Sequence, residues 1–126
     1  MLEPRNDPKL IARLWETTQP KVRLPEQLSD AFFDPQGPMP VHQDNRRGYH
    51  RYFMRAKAIL KRNGIMLGSY TKDVSRQGVG FLSPVPLLPL QRVQLHLLNG
   101  TELHLEVARC RRVDNCCFDC GARFAL

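Results

Sequence analysis

A chain of 126 residues and 14.5 kDa buries roughly two-thirds of its unfolded surface, which supplies one core and not two. No run approaches the roughly 20 consecutive apolar residues of a membrane span, and Met1 to Asp7 lacks a signal peptide's apolar stretch, so export and membrane insertion are not expected. Nineteen Lys and Arg against twelve Asp and Glu give a net charge of +7, and fourteen of the nineteen are arginines, whose guanidinium forks onto phosphates and base edges, so an anionic partner is expected.

Seven of the ten prolines fall before residue 45, which sets a boundary between a leader, residues 1–44, and a main domain, residues 45–126. In the leader, Asp7 suits an N-cap and Pro8 the first helical position. Leu10, Ile11, Leu14 and Trp15 then share one helical face, and the helix must end before Pro20. A second short helix is expected from Pro25 through Leu28 toward Phe33. The proline-rich run from Asp34 to Pro40 reads as a linker. The apolar face of the first helix is expected to pack on the main domain rather than on a separate partner.

From Arg55 the period changes to two. Ala56, Ala58 and Leu60 alternate with Lys57, Ile59 and Lys61, and Asn63-Gly64 supplies the two positive φ values of a tight hairpin. That turn sets Leu60 opposite Leu67 and Ala58 opposite Ser69. Val93, Leu95 and Leu97 alternate in a later strand, followed by Leu103, Leu105 and Val107. A two-residue loop at Asn99-Gly100 would set Leu95 against His104, apolar against polar. A three-residue loop, Leu98-Asn99-Gly100 with a left-handed glycine, restores Leu95 opposite Leu103. The last strand places Phe118, Cys120, Ala122 and Phe124 on one face. About six antiparallel strands with short turns predict an all-β fold, a small antiparallel β-barrel with a helical N-terminal extension.

Two patches carry polar residues that such a barrel does not need for its core. The first is Arg46-Arg47-Gly48-Tyr49-His50-Arg51, ahead of the first strand. No acid lies between Arg46 and Lys72, so this stretch suits phosphate, and each arginine also fits the O6/N7 edge of guanine. The structural alternative is a solvated basic edge strand that repels other edges. The second patch is Asp73-Val74-Ser75-Arg76-Gln77-Gly78, at a strand-to-strand turn. Asp73 and Ser75 there either cap backbone donors beside a positive-φ Gly78, or accept from the N–H groups of a base.

Taken together, Arg47-x-x-x-Arg51 and Asp73-x-Ser75-x-x-Gly78, with alternating strands and a closing Gly121-Ala122-Arg123-Phe124, resemble the PilZ family over about residues 45–126. The resemblance implies a six-stranded antiparallel β-barrel and a cytoplasmic bacterial receptor for cyclic di-GMP. By position, Arg47 and Arg51 would hold phosphate and guanine edges. Asp73 and Ser75 would bond the second guanine, and Gly78 would leave it room. Arg46 is the residue type that in this family accompanies binding of a stacked, intercalated ligand dimer. Where some relatives set an aromatic against a guanine, this chain has Arg109, whose guanidinium plane can stack instead. Relatives often add a C-terminal helix, and the leader helix is expected to close the open barrel end in its place. Ligand binding would tie the Arg segment to the barrel rim, reorient the leader and expose a surface for an unidentified downstream protein.

Cys110, Cys116, Cys117 and Cys120 are expected to be reduced thiols without a metal. Only one C-x-x-C is present, and Cys117 and Cys120 sit at odd separation on one strand, so they face opposite sides. His42, His50, His96 and His104 show no metal spacing, and the last two are expected on outward faces. No nucleophile–base pair or phosphate-cradling glycine loop is present, so neither an enzyme nor a cofactor is expected. Two alternatives remain: a PilZ-like protein-interaction subunit that binds no nucleotide, and a basic barrel for single-stranded nucleic acid. The latter needs a ladder of stacking aromatics, and only ten aromatics are spread along the whole chain.

Overall fold

The computed structural model describes residues 8–29, 31–39 and 51–125. Two helices, α1 (Pro8–Thr17) and α2 (Glu26–Ser29), precede seven strands. These are β1 (Arg51–Phe53), β2 (Lys57–Arg62), β3 (Ile65–Ser75), β4 (Gly78–Ser83), β5 (Arg92–Leu97), β6 (Glu102–Asp114) and β7 (Cys117–Phe124). Their order is β1-β3-β2-β5-β6-β7-β4, and β3 also pairs with β4. The six strands β2 to β7 therefore close the expected barrel, with β1 as one outer strand. Because β1 pairs with Asp73 to Ser75 and β2 with Ile65 to Tyr70, the two run end to end along β3.

The predicted registers hold. Leu60 faces Leu67 and Ala58 faces Ser69 across the Asn63-Gly64 turn, where φ is 50° and 80°. Leu95 faces Leu103, with Gly100 at φ 89° and a 2.9 Å bond from the Leu97 N–H to the Thr101 carbonyl. Leu60, Leu67, Phe81, Leu95, Leu105, Val107 and Cys120 fill the interior.

The leader wraps the barrel wall rather than its end, because the outward face of the barrel is also apolar there. Ile11 and Trp15 bury against Ile59, which alternation alone assigns to solvent. The Trp15 ring stacks on Tyr70 at 5.2 Å, and its Nε1–H donates to the Ser69 carbonyl at 2.8 Å. His96, paired with Ile59 on the outer side of β5, is buried for the same reason instead of facing water. Beyond α1, the backbone at Pro20 and Val22 bonds both backbone groups of Gly68, a stretch of β3 that β4 does not reach. The Arg23 N–H continues to the Cys116 carbonyl, and Val22 and Phe32 bury with Leu82 and Cys117. The second helix is a single turn, Glu26–Ser29, and stops well short of Phe33. The run from Asp34 is also not a free linker. Pro38 bridges Tyr52, the Met39 N–H bonds the Arg51 carbonyl, and the Phe53 N–H bonds the Gly37 carbonyl, each bond 2.8 Å. The expected N-cap at Asp7 and the boundary at Asp44-Asn45 lie outside the described residues. Among those described, no helix is long and apolar enough to cross a membrane.

Candidate functional site

Arg51, the described residue of the first patch, meets the second patch on one face of the β1–β3 ribbon. Arg51 opposes Ser75 and Phe53 opposes Asp73, so Arg51 and Asp73 are diagonal neighbours within side-chain reach. The Arg51 Nε donates to Asp73 Oδ1 at 3.0 Å, and its Nη2 donates to the same oxygen. Both side chains are largely buried, at 13 % and 9 % exposure, so the pair is shielded from solvent and the guanidinium is fixed in direction. Gly80 makes the arrangement possible: a Cβ there would lie 2.8 Å from Asp73 Oδ1.

At the following turn, the Ser75 hydroxyl accepts the N–H groups of Gln77 and Gly78, at 3.2 and 3.3 Å. The serine thus caps the turn as expected, but Asp73 does not, because its carboxylate is turned to Arg51. Gly78 is also not a positive-φ residue. Its missing side chain answers a different demand: a Cβ would sit 1.9 Å from the Ala122 carbonyl oxygen, where β7 crosses β4. Barrel closure, not turn geometry, requires glycine here.

A third arm comes from β6. Leu105 and Val107 point into the barrel, so strict alternation would send Arg109 inward as well. The pairing slips between Val107–Ala122 and Arg109–Gly121, leaving Ala108 as a bulge. That extra residue turns Arg109 outward and returns Cys110 to the core side. Gly121 then receives the arginine, since a Cβ on it would lie 2.7 Å from Arg109 Nε and 3.3 Å from Nη2.

These elements form a cleft of about 400 Å³ lined by Arg51, Ser75, Gln77, Gly78, Arg109 and Arg123, together with Ala108 and Gly121. Of the residues expected at the site, Arg51, Ser75, Gly78 and Arg109 converge here. Asp73 stands behind Arg51 and does not line the cleft. Arg46 and Arg47 lie outside the described residues, as do His42 and His50. Arg123 also lines the cleft, and its place in the closing Gly121-Ala122-Arg123-Phe124 was the sequence signal for it. It alternates outward from the buried Ala122 and faces the close-approach Gly78. Arg123 reaches Glu106 at 3.8 Å, and Glu106 also meets Arg92 at 3.6 Å.

The basic run from Arg46 to Lys72 is not one surface. Arg55 lies between the Phe32 and Phe53 rings, at 4.6 and 5.2 Å. The Lys57 ammonium sits 4.6 Å over Trp15 and bonds Glu16, which holds that carboxyl below its ordinary range. Lys72 pairs with Asp119 at 2.9 Å. Of the described cations in that run, Arg51 is the one lining the cleft.

The cysteines divide as their spacing predicts. Cys120 lies in the barrel core, with its sulfur 3.4 Å from that of Cys110, whereas Cys117 packs outside, under the leader. Burial, with help from Asp119 and Asp114, pushes the Cys117 thiol up to about 11, and burial raises Cys120 further.

A search of the curated proteins finds no match to this chain. The PilZ domain model does match, over residues 45–125, and so covers both motif segments, every barrel strand and the closing Gly-x-Arg-Phe. With the barrel topology and the ordered motifs already in place, that match assigns the chain to the PilZ family, a family of cyclic di-GMP-binding domains.

Proposed function

We propose that this protein is a cyclic di-GMP receptor, with residues 45–126 as the receptor body and residues 1–44 as the part that carries binding to a downstream protein. One observation supports this above the others: Arg51 and Ser75, from the two separate motifs, line one cleft with two further guanidiniums, Arg109 and Arg123. Guanidiniums suit the phosphodiesters and the O6/N7 edges of guanine. The broad plane of Arg109, laid along Gly121, suits stacking on a base. Asp73 acts as a positioning residue, because it anchors Nε and Nη2 of Arg51 at the edge of the cleft.

The leader's attachment shapes how a signal would travel. Its helix is fixed on the wall, so reorientation of the whole leader is not the favoured route. Residues 37–39 pair with β1, and Arg46 and Arg47 belong to the segment joining that ribbon's two sides. Ligand drawing on Arg46, Arg47 and Arg51 would therefore act first on the Gly37–Met39 ribbon. A bacterial cytoplasmic setting is the one in which this ligand would be met.

Calorimetric titration of the full chain with cyclic di-GMP, with GTP and cyclic GMP as controls, tests the proposal. Saturable, selective binding is expected. Two ligands per chain would fit the role given to Arg46, and Arg109→Ala should weaken affinity roughly tenfold. A flat titration from folded protein would instead leave the reading of a nucleotide-free interaction subunit, in which the Arg51–Asp73 pair is purely structural.

A further inference from the structure

The β4–β5 connection, residues 84–91, has a design that neither the core nor the nucleotide cleft explains. Three prolines, Pro84, Pro86 and Pro89, stiffen it. Leu87 is buried in the barrel core, and Val85 packs against it. The next apolar residues do the opposite: Leu88 is 71 % exposed and Leu90 is 67 % exposed, the two most exposed large hydrophobics among the described residues.

Leu90 also holds a left-handed φ of 71°, a conformation that a branched side chain adopts only under constraint. The constraint is visible. The Leu90 N–H bonds the Val107 carbonyl at 2.7 Å, the Val107 N–H bonds the Gln91 carbonyl at 2.9 Å, and the Gln91 side chain accepts the Leu88 N–H at 3.0 Å. The loop is therefore a rigid tip that presents two leucines to the outside.

Cations flank that tip. Arg62 donates to the Pro86 carbonyl at 3.3 Å. Arg92 follows the loop directly, with its side chain 66 % exposed. Arg111 is 80 % exposed and follows Cys110, whose sulfur accepts the Leu87 N–H. Arg92 pairs with Glu106 and Arg111 with Asp119, and in each pair the acid is the more buried member.

We infer that the Leu88-Pro89-Leu90 tip is a peripheral docking element for an anionic lipid surface, into which the two leucines dip while Arg62, Arg92 and Arg111 meet the headgroups. A bilayer fits these features better than a protein groove does. Two leucines around one proline fall far short of the roughly 1,000 Å² that a specific protein interface needs. A fluid interface needs only apolar area and charge of the right sign, and arginine stems bury readily beside it. The net charge of +7 favours the same partner.

Co-sedimentation of the full chain, without nucleotide, tests this with phosphatidylcholine vesicles and with vesicles containing about one-third phosphatidylglycerol. Binding to the anionic vesicles is expected, with little to the neutral ones and a decline at high salt. Leu88→Ser with Leu90→Ser should lower the partition coefficient about tenfold or more while the protein still melts cooperatively. Leu90→Gly removes the strained side chain and should keep the fold while weakening vesicle binding. Failure of the wild-type chain to bind anionic vesicles overturns the inference and leaves the tip to a protein partner. Equal binding by the double variant overturns it too, since bulk positive charge would then suffice. Nucleotide is absent throughout, so neither result depends on whether the chain binds cyclic di-GMP.

Discussion

The leader-covered wall and the open cleft use the same residue types to opposite ends. On the wall, Lys57 is held by the Trp15 ring and Glu16, and Arg55 lies between two phenylalanines. In the cleft, Arg51, Arg109 and Arg123 line open space, and the first is fixed by a buried carboxylate. Positive charge counted along the chain cannot separate these two roles. What separates them is what lies over each cation. Wall cations are covered by aromatic rings, whereas cleft cations face open space even where an acid holds them.

The largest expected effect falls on the wall. Trp15→Ala should cost about 3–5 kcal/mol in urea denaturation, through lost packing on Ile59 and Tyr70 and loss of the bond to Ser69. A loss under about 1 kcal/mol would show that the leader is an accessory and not part of the core.

Gly78→Ala comes next and probes where wall and cleft share a backbone. The new methyl would have to displace the Ala122 carbonyl, so about 1–3 kcal/mol of stability should go with it. An unchanged unfolding midpoint would mean that β4 and β7 close less tightly than this crossing implies.

The contrast itself is tested by a pair of cation removals read in the nucleotide titration. Arg123→Ala should weaken cyclic di-GMP binding roughly tenfold, while Lys57→Gln should change it by less than about twofold. Equal losses would break the distinction between ring-covered and cleft-facing cations. Ser75→Ala is smaller: loss of its turn bonds should cost about 1 kcal/mol of stability, measured by denaturation.

The last effect is confined to alkaline pH. In the unfolded chain Cys117 ionises near pH 8.5, whereas in the folded protein it keeps its proton up to about 11. The folded state therefore binds the extra proton between those values, and stability should fall as pH rises through that window. Denaturation midpoints across the window, compared with those of Cys117→Ala, measure the slope. Alkylation should meanwhile reach the exposed Cys116 well before buried Cys117 or Cys120.

Much of this molecule could be read before folding, because its main determinants are local. Asn63-Gly64 and Leu98-Asn99-Gly100 fix hairpin register by backbone conformation alone, and period-two alternation then assigns the core. The α1 stripe and the opposite facing of Cys117 and Cys120 follow from the same periodicities. The two motifs, each a few residues long, brought Arg51, Ser75 and Gly78 into view.

Tertiary structure decided whatever depends on a second surface. Ile59 and His96 alternate outward, yet they are buried because a helix from another part of the chain covers that wall. Arg109 alternates inward, yet it reaches the cleft because a bulge at Ala108 reverses the phase. Asp73 stands in a turn motif, yet its carboxylate serves Arg51 across the ribbon. Local sequence sets which conformations a segment prefers. Only the packed chain sets which neighbour each side chain meets, and that neighbour decides whether a residue is covered by the fold or faces the cleft.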